Sequence, residues 1–236
     1  MAFATIVLVN KQALTVSIII PVYNEESYIG ACLDAIASQT VQPLEVIVID
    51  NNSTDRGAKI ARQYPFVKLL SEPRQGQVFA QAAGFNYAKG TILGRIDADS
   101  VLPTGWVEQL IHGFQAFPKA VALTGPGQPY DVPMKKSGEA IFNFYHQFLS
   151  KLFAGHEMLW GSNCAFRATM WKKIRQEVHY RNDIWEDFDM TFHLRPFGEI
   201  KLLPTLVVSC SFRAGHKSIP HQIRYQFRCI RTYALH

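Results

Sequence analysis

At 236 residues, 48% hydrophobic and 18% charged, the chain has enough apolar material for a packed core, which excludes a disordered or low-complexity polypeptide. The length suits one α/β domain with a short appendage. The net charge is +5, and Glu199 is the last acidic residue; the six cations after it (Lys201, Arg213, Lys217, Arg224, Arg228 and Arg231) exceed that whole excess, so a basic tail suited to phosphate-bearing partners is expected.

Two apolar runs open the chain, residues 2–9 and 16–22, divided by Asn10-Lys11-Gln12, and neither can span a bilayer alone. The start also lacks a basic leader before a small-residue cleavage site, so no signal peptide is expected. Residues 16–22, VSIIIPV, read as a central strand of a parallel sheet covered on both faces. Pro21 and Asn24 end it, and Glu25-Glu26 open a helix whose apolar face is Ile29, Cys32, Leu33, Ile36 and Ala37. A second strand over 44–49 closes in Asp50-Asn51-Asn52-Ser53-Thr54-Asp55, which leads into a helix over 55–63 capped by Thr54 or Asp55. A short strand over 67–70 is followed by the turn Glu72-Pro73-Arg74-Gln75-Gly76 and an Ala-rich helix over 77–88.

Residues 91–96 form the next strand, and Asp97-Ala98-Asp99 ends it with two carboxylates. Residues i and i+2 of an extended chain point to one side, so both acids can face one ligand. Like charges held that close repel, and a hard divalent cation carrying phosphate resolves the repulsion. A solvated turn is the plainer reading of an isolated pair of this kind. A helix over 104–117 and a strand over 121–124 follow. Strands alternating with such helices predict an α/β fold, mostly parallel, with right-handed crossovers and ligands bound beyond the strands' carboxyl ends. Asn24, Asp50, Arg74, Asp97 and Asp99 all occupy such ends.

The second half is less regular. Residues 140–153 are aromatic-rich, read as core packing or an acceptor-facing helix. Residues 160–167 read as a tight loop running into a strand. Glu186, Asp187 and Asp189 stand near the start of a helix within 183–197, and one or two strands lie within 200–208. In the tail, Ile223, Phe227 and Ile230 recur at i, i+4 and i+7 beside Arg224, Arg228 and Arg231, as in a short basic amphipathic helix. That helix suits an anionic membrane surface; docking on the domain or gripping phosphates are the alternatives. The four cysteines, Cys32, Cys164, Cys210 and Cys229, lie far apart with no CxxC pair, giving neither a zinc knuckle nor a disulfide framework and favouring a reduced, cytoplasmic setting. The dinucleotide glycine fingerprint and the Walker phosphate loop are both absent.

The segments Ile20-Pro21-Val22-Tyr23-Asn24-Glu25-Glu26, Asp50 to Asp55, Arg95-Ile96-Asp97-Ala98-Asp99, Gly161-Ser162-Asn163 and Glu186-Asp187 occur in one order. Together they resemble the family 2 glycosyltransferases, inverting nucleotide-sugar enzymes. The resemblance implies a GT-A type, Rossmann-like mixed sheet, mostly parallel, with helices on both faces. It implies a catalytic domain over 1–212 and a basic amphipathic segment over 213–236. Pro21, Tyr23, Glu25, Asp50, Arg74 and Asp97 would meet the nucleotide sugar, a UDP-sugar being favoured because Asp50 is compatible with uracil. Asp99, with Asp97 and His216, would hold Mn2+ or Mg2+. Gly161, Ser162 and Asn163 would line the acceptor site, and Asp187 would be the general base, with Glu186 and Asp189 as alternatives.

The implied partners are a nucleoside diphosphate sugar, a hydroxyl acceptor such as a polyprenyl-phosphate or glycan, and an anionic membrane surface, but no nucleic acid. The expected setting is cytoplasmic, peripheral at the inner face of the membrane, in cell-envelope polysaccharide or glycolipid synthesis. One departure stands out. Gln77, Gln81 and Ala82 occupy positions where the family commonly carries a basic residue and an Arg-Asn pair, so phosphate contact leans on Arg74, Arg95 or the tail. Two rival readings are a catalytically silent nucleotide-sugar-binding subunit and a sugar-nucleotide nucleotidyltransferase. The latter normally needs a glycine-rich basic loop where this chain has Tyr23-Asn24-Glu25-Glu26.

Overall fold

The computed structural model describes residues 13–131, 155–211, 213 and 218–236. The aromatic segment 140–153 and His216 lie outside the described residues.

The first two β-branched runs form adjacent parallel strands, β1 (Val16–Val22) and β2 (Glu45–Asp50), with Ile18 opposite Val46 and Val22 opposite Asp50. β3 (Val67–Ser71) extends the sheet on one side of β2, and β4 (Ile92–Arg95) lies on the other side of β1. Beyond β4 come β5 (Ala120–Thr124), β6 (Gly127–Pro129), β7 (Cys164–Arg167), β8 (Glu199–Leu202) and β9 (Val208–Cys210). The main sheet has the order β3-β2-β1-β4-β7-β5-β8, and β7 runs antiparallel to both β4 and β5. β6 and β9 make a separate two-stranded parallel ribbon.

The helices are α1 (Ile29–Ala37), α2 (Gly57–Ala61), α3 (Gln77–Tyr87), α4 (Trp106–Ala116), α5 (Ala168–Ile174), α6 (Glu186–Leu194) and α7 (Ile219–Leu235). Alternation along the strands makes two cores. Ile18, Ile20, Val46 and Val48 pack on one face with Leu33, Ile36, Trp106, Leu110 and Phe114. Ile19, Ile47 and Ile49 pack on the other with Phe85, Phe166, Trp171 and Leu194. Both faces are covered, so the strands read as unbroken apolar runs rather than alternating ones. Close approach of α3 depends on Gly84, where a Cβ would lie 2.6 Å from Ile19 and 2.7 Å from Ile49.

The expected α/β layout is therefore observed, with two local differences. α1 starts at Ile29 rather than at Glu25, because residues 25–28 form a turn after Asn24, whose φ is 56°. Asparagine tolerates that left-handed conformation better than most residues, and Asn24 Oδ1 is held by the N–H of the distant Thr54 at 2.8 Å. α2 is shorter than the expected 55–63; Asp55 stands outside it, its carboxylate accepting the N–H groups of Glu26 and Gly57. The helix expected within 183–197 is observed as α6, with the added detail that it passes into a 3-10 turn, Arg195–Phe197, at Pro196. Among the described residues no helix is long and apolar enough to cross a membrane.

Candidate functional site

β1, β2 and β4 run parallel, so their carboxyl ends lie along one rim. Pro21 is half-buried and Tyr23 is exposed at the end of β1, and Asp50 ends β2 opposite Val22. Asp50 Oδ1 accepts the Ser53 N–H at 3.1 Å, which folds the following loop back on the strand. Next to it, the buried Asn51 organises the neighbouring turn. Its amide donates to Glu72 O at 2.8 Å and to Arg74 O at 2.7 Å, and its carbonyl accepts from Gly76 N at 2.7 Å. Arg74 itself pairs with Glu72 at 2.8 Å and lies over the Phe79 ring, at the edge of the rim.

At the end of β4 the geometry is tighter. Arg95 is 2% exposed and sends its guanidinium between Asp97 Oδ1, at 2.9 Å, and Glu186 Oε1, at 3.5 Å. Burial opposes its charge, and the two carboxylates outweigh that and hold it firmly protonated. Gln77 and Gln81, one turn apart on α3, reach the same two acids, Asp97 Oδ1 and Glu186 Oε1, each at 3.2 Å. The helix lacking the expected cations thus supplies neutral donors, and the strand supplies the buried cation.

Gly161-Ser162 joins this cluster to the helix α6. Ser162 Oγ donates to Asp97 Oδ2, and Gly161 N donates to Asp187 Oδ2 at 3.0 Å. A Cβ on Gly161 would fall 1.6 Å from Arg95 Nη1, so only glycine lets the loop pass over the guanidinium. Burial, with the charge of Glu186 second, pushes the Asp187 carboxyl up to about 7. Glu186 is pinned by Arg95 and Gln81. Asp189 turns away toward His179, His193 and His236. Of the three acids on α6, Asp187 is thus the one tied to the Gly161-Ser162 loop.

Asp99 is buried, and burial together with the charge of Asp97 pushes its carboxyl up to about 7. Arg213, whose importance depends on tertiary structure, bridges it to the start of the chain: Nη2 lies 3.2 Å from Asp99 Oδ2, and Nη1 lies 2.6 Å from Glu25 Oε2. The carboxylates therefore already hold a positive group, and an all-oxygen donor set suits a hard divalent cation. Asp99 and Asp97 are the acids of this rim that could hold such an ion, Asp99 in place of Arg213 and Asp97 in place of its contacts to Arg95, Gln77 or Ser162. Asn163 does not join the rim. It is fully buried, accepts from Trp106 Nε1 at 2.9 Å and donates to Leu206 O at 2.5 Å, so its amide braces the loop and is unavailable to an acceptor.

The tail helix α7 docks by one face: Trp185 N donates to the buried Thr232 Oγ1 at 2.9 Å, and Tyr233 packs against Phe188 and Phe192. Its other face leaves Ile223 50%, Phe227 54% and Ile230 61% exposed.

The sequence profile described as Glycosyl transferase family 2 matches residues 17–175. The chain is 36% identical over 110 residues to the hyaluronan synthase of Pasteurella multocida, covering 45% of this chain and 11% of that protein. Its fold is similar to that of the mannosyltransferase PcManGT from Pyrobaculum calidifontis in complex with GDP-Man and Mn2+, with a TM-score of 0.68 and 24% identity, over 91% of this chain and 61% of that one. The S. aureus TarS fragment in complex with UDP-GlcNAc gives a TM-score of 0.68 at 17% identity, over 89% and 61% of the two chains.

Proposed function

From the premise that the chain belongs to glycosyl transferase family 2, shown by the match over residues 17–175, we propose that it is a metal-dependent, inverting glycosyltransferase. It moves a sugar from a nucleoside diphosphate sugar to a hydroxyl acceptor. The observation that carries this reading is the continuous chain of contacts from Asp97 through Ser162 and Gly161 to Asp187, which couples a diphosphate-side acid to a base-side acid.

Asp99, assisted by Asp97, would hold Mn2+ or Mg2+, which would supply positive charge to offset that of the departing diphosphate. Pro21, Tyr23 and Asp50 border the base and ribose. Arg95 fixes Asp97 and Glu186, and Arg213, beside Asp99, and Arg74, at the edge of the rim, are the cations assigned to the diphosphate. Asp187 takes the proton of the acceptor hydroxyl as that oxygen bonds to the anomeric carbon and the bond to the diphosphate oxygen breaks, inverting the centre. A carboxyl pushed up to about 7 is a stronger base than an ordinary carboxylate, which supports this role. Gly161 and Ser162 flank the acceptor. The two structural neighbours were solved with GDP-Man and with UDP-GlcNAc; Asp50 favours a UDP-sugar here. The exposed apolar stripe of α7, flanked by Arg224 and Arg228, supports contact with an anionic membrane and a lipid-linked acceptor.

The test is transfer from UDP- and GDP-sugars to candidate acceptors with the anomeric configuration of the product read by NMR. Inversion is expected, and retention overturns the mechanism. Asp187→Asn should lower kcat by about 10²–10⁴-fold with donor affinity nearly unchanged; normal turnover in that variant would remove Asp187 from the role.

A further inference from the structure

Behind α6, away from the rim, three imidazoles converge on one buried carboxylate. Asp189 is 2% exposed at its side chain, and its Oδ1 lies 2.6 Å from His179 Nδ1, 2.9 Å from His236 Nε2 and 3.6 Å from His193 Nε2. A carboxylate oxygen has two lone pairs, so two of these rings exhaust it. The third loses: His193 Nε2 is buried and makes no hydrogen bond. Orphaned buried nitrogens are uncommon, and one aimed into a cluster of ligating side chains points to a missing partner.

We propose that His179, His193, His236 and Asp189 form a second, structural metal site, selective for Zn2+ over the hard cations of the rim. One ligand atom from each residue lies within 4.8 Å of all the others. Ligands of a tetrahedral zinc, each about 2.0–2.1 Å from the ion, stand about 3.4 Å apart, so shifts of an ångström or less close the shell. Three imidazoles and a carboxylate are a borderline donor set that suits zinc rather than Mg2+. The supports are built as outer-shell contacts usually are: Asp189 Oδ2 accepts the His179 N–H at 2.9 Å, and Phe192 stacks on His236 with centroids 4.5 Å apart. Glu177 Oε2, 3.8 Å from His193 Nδ1, faces the outer nitrogen of that ring.

Asp189 and His193 sit one turn apart on α6, His179 precedes that helix, and His236 follows α7. The ion would therefore clamp the tail helix to the helix that carries Asp187. With four protein ligands the shell is closed, as in structural rather than catalytic zinc sites.

The test uses the full chain without a histidine tag. Titration with Co2+ should give the visible absorption of tetrahedral cobalt at one equivalent, displaced by Zn2+, and Zn2+ should raise Tm where Mg2+ at the same concentration does not. Asp99→Ala should retain both signals. His193→Ala and His236→Ala should lose them while keeping the wild-type circular dichroism, and His179→Ala, whose side chain is the most exposed of the three rings, tests the same shell should either variant fold poorly. Absence of the tetrahedral spectrum in the wild-type chain, or its persistence in a folded His193→Ala variant, overturns the proposal.

Discussion

The guanidinium of Arg213 stands 3.2 Å from the Asp99 carboxylate, so a residue from the segment before the tail helix supplies a positive charge to an acid that ends β4. The same guanidinium binds Glu25, 188 residues earlier. An arginine in this position would compete with a metal ion held at Asp99 as proposed. Arg213→Ala should therefore tighten Mn2+ binding in the absence of nucleotide by about tenfold, the equivalent of 1.4 kcal/mol. Titration calorimetry checks this, and unchanged or weaker Mn2+ binding contradicts the competition.

Gly161 is the second point at which the site depends on one residue. A methyl group there overlaps Arg95 Nη1, so Gly161→Ala must push the guanidinium away from Asp97 and Glu186. Misplacing a positioning group by about an ångström costs on the order of 10²-fold in rate. The variant should stay folded by circular dichroism and lose roughly that factor in kcat. Wild-type turnover would show that Arg95 does not need its place.

Glu45 predicts a pH dependence of stability rather than of catalysis. It is buried, accepts from Ser17 Oγ at 2.7 Å and from Lys89 N at 2.6 Å, and pairs with Lys68 at 2.7 Å, joining β1, β3 and the turn before β4. Burial would raise its pKa, and the hydrogen bonds from Lys68, Ser17 and Lys89 outweigh it and hold the carboxyl below the usual 4.5. A depressed carboxyl contributes stability that is present above its unfolded value and lost as pH falls through its folded value. Glu45→Gln should cost about 1–3 kcal/mol at neutral pH. The difference from wild type should shrink below pH 4.5 in denaturant titrations. A gap that stays constant down to acid pH would rule out the charge as its source.

For the tail, the exposed stripe of Ile223, Phe227 and Ile230 should drive binding to vesicles containing anionic lipid. Arg231 is already paired with Asp183 at 2.9 Å, so the charge contribution falls to Arg224 and Arg228. Changing both to Ala should lower co-sedimentation with anionic vesicles and leave donor binding intact. Equal co-sedimentation of wild type and variant would exclude the electrostatic part of the contact.

Much of this was legible in the sequence because it is local. VSIIIPV and EVIVID are apolar on both faces and became β1 and β2, and Asp97 and Asp99 lie where the apolar run of β4 stops. The contacts that were not legible join segments far apart. β7 inserts antiparallel between β4 and β5, a pairing no local pattern encodes. Arg213 looked like one more cation of a basic tail, and its role depends on Glu25 and Asp99 being brought to it. Asn163 sat in a segment expected to face an acceptor, yet its amide turns inward because Trp106 Nε1 and the carbonyl of Leu206 are buried there. His193 lies on the face of a helix with no local signal of its own, and His179 and His236 meet it only in the folded chain.

On the reading proposed above, the acids closing β4 hold a cation through which the chain grips a diphosphate. Titration of UDP and GDP into the wild-type protein and into Asp99→Ala, each with and without Mn2+, tests it most directly. Mn2+ should tighten nucleotide binding to the wild type at least tenfold and leave binding to the variant unchanged. Equal affinity with and without the metal in the wild type, or an undiminished metal effect in Asp99→Ala, would contradict it.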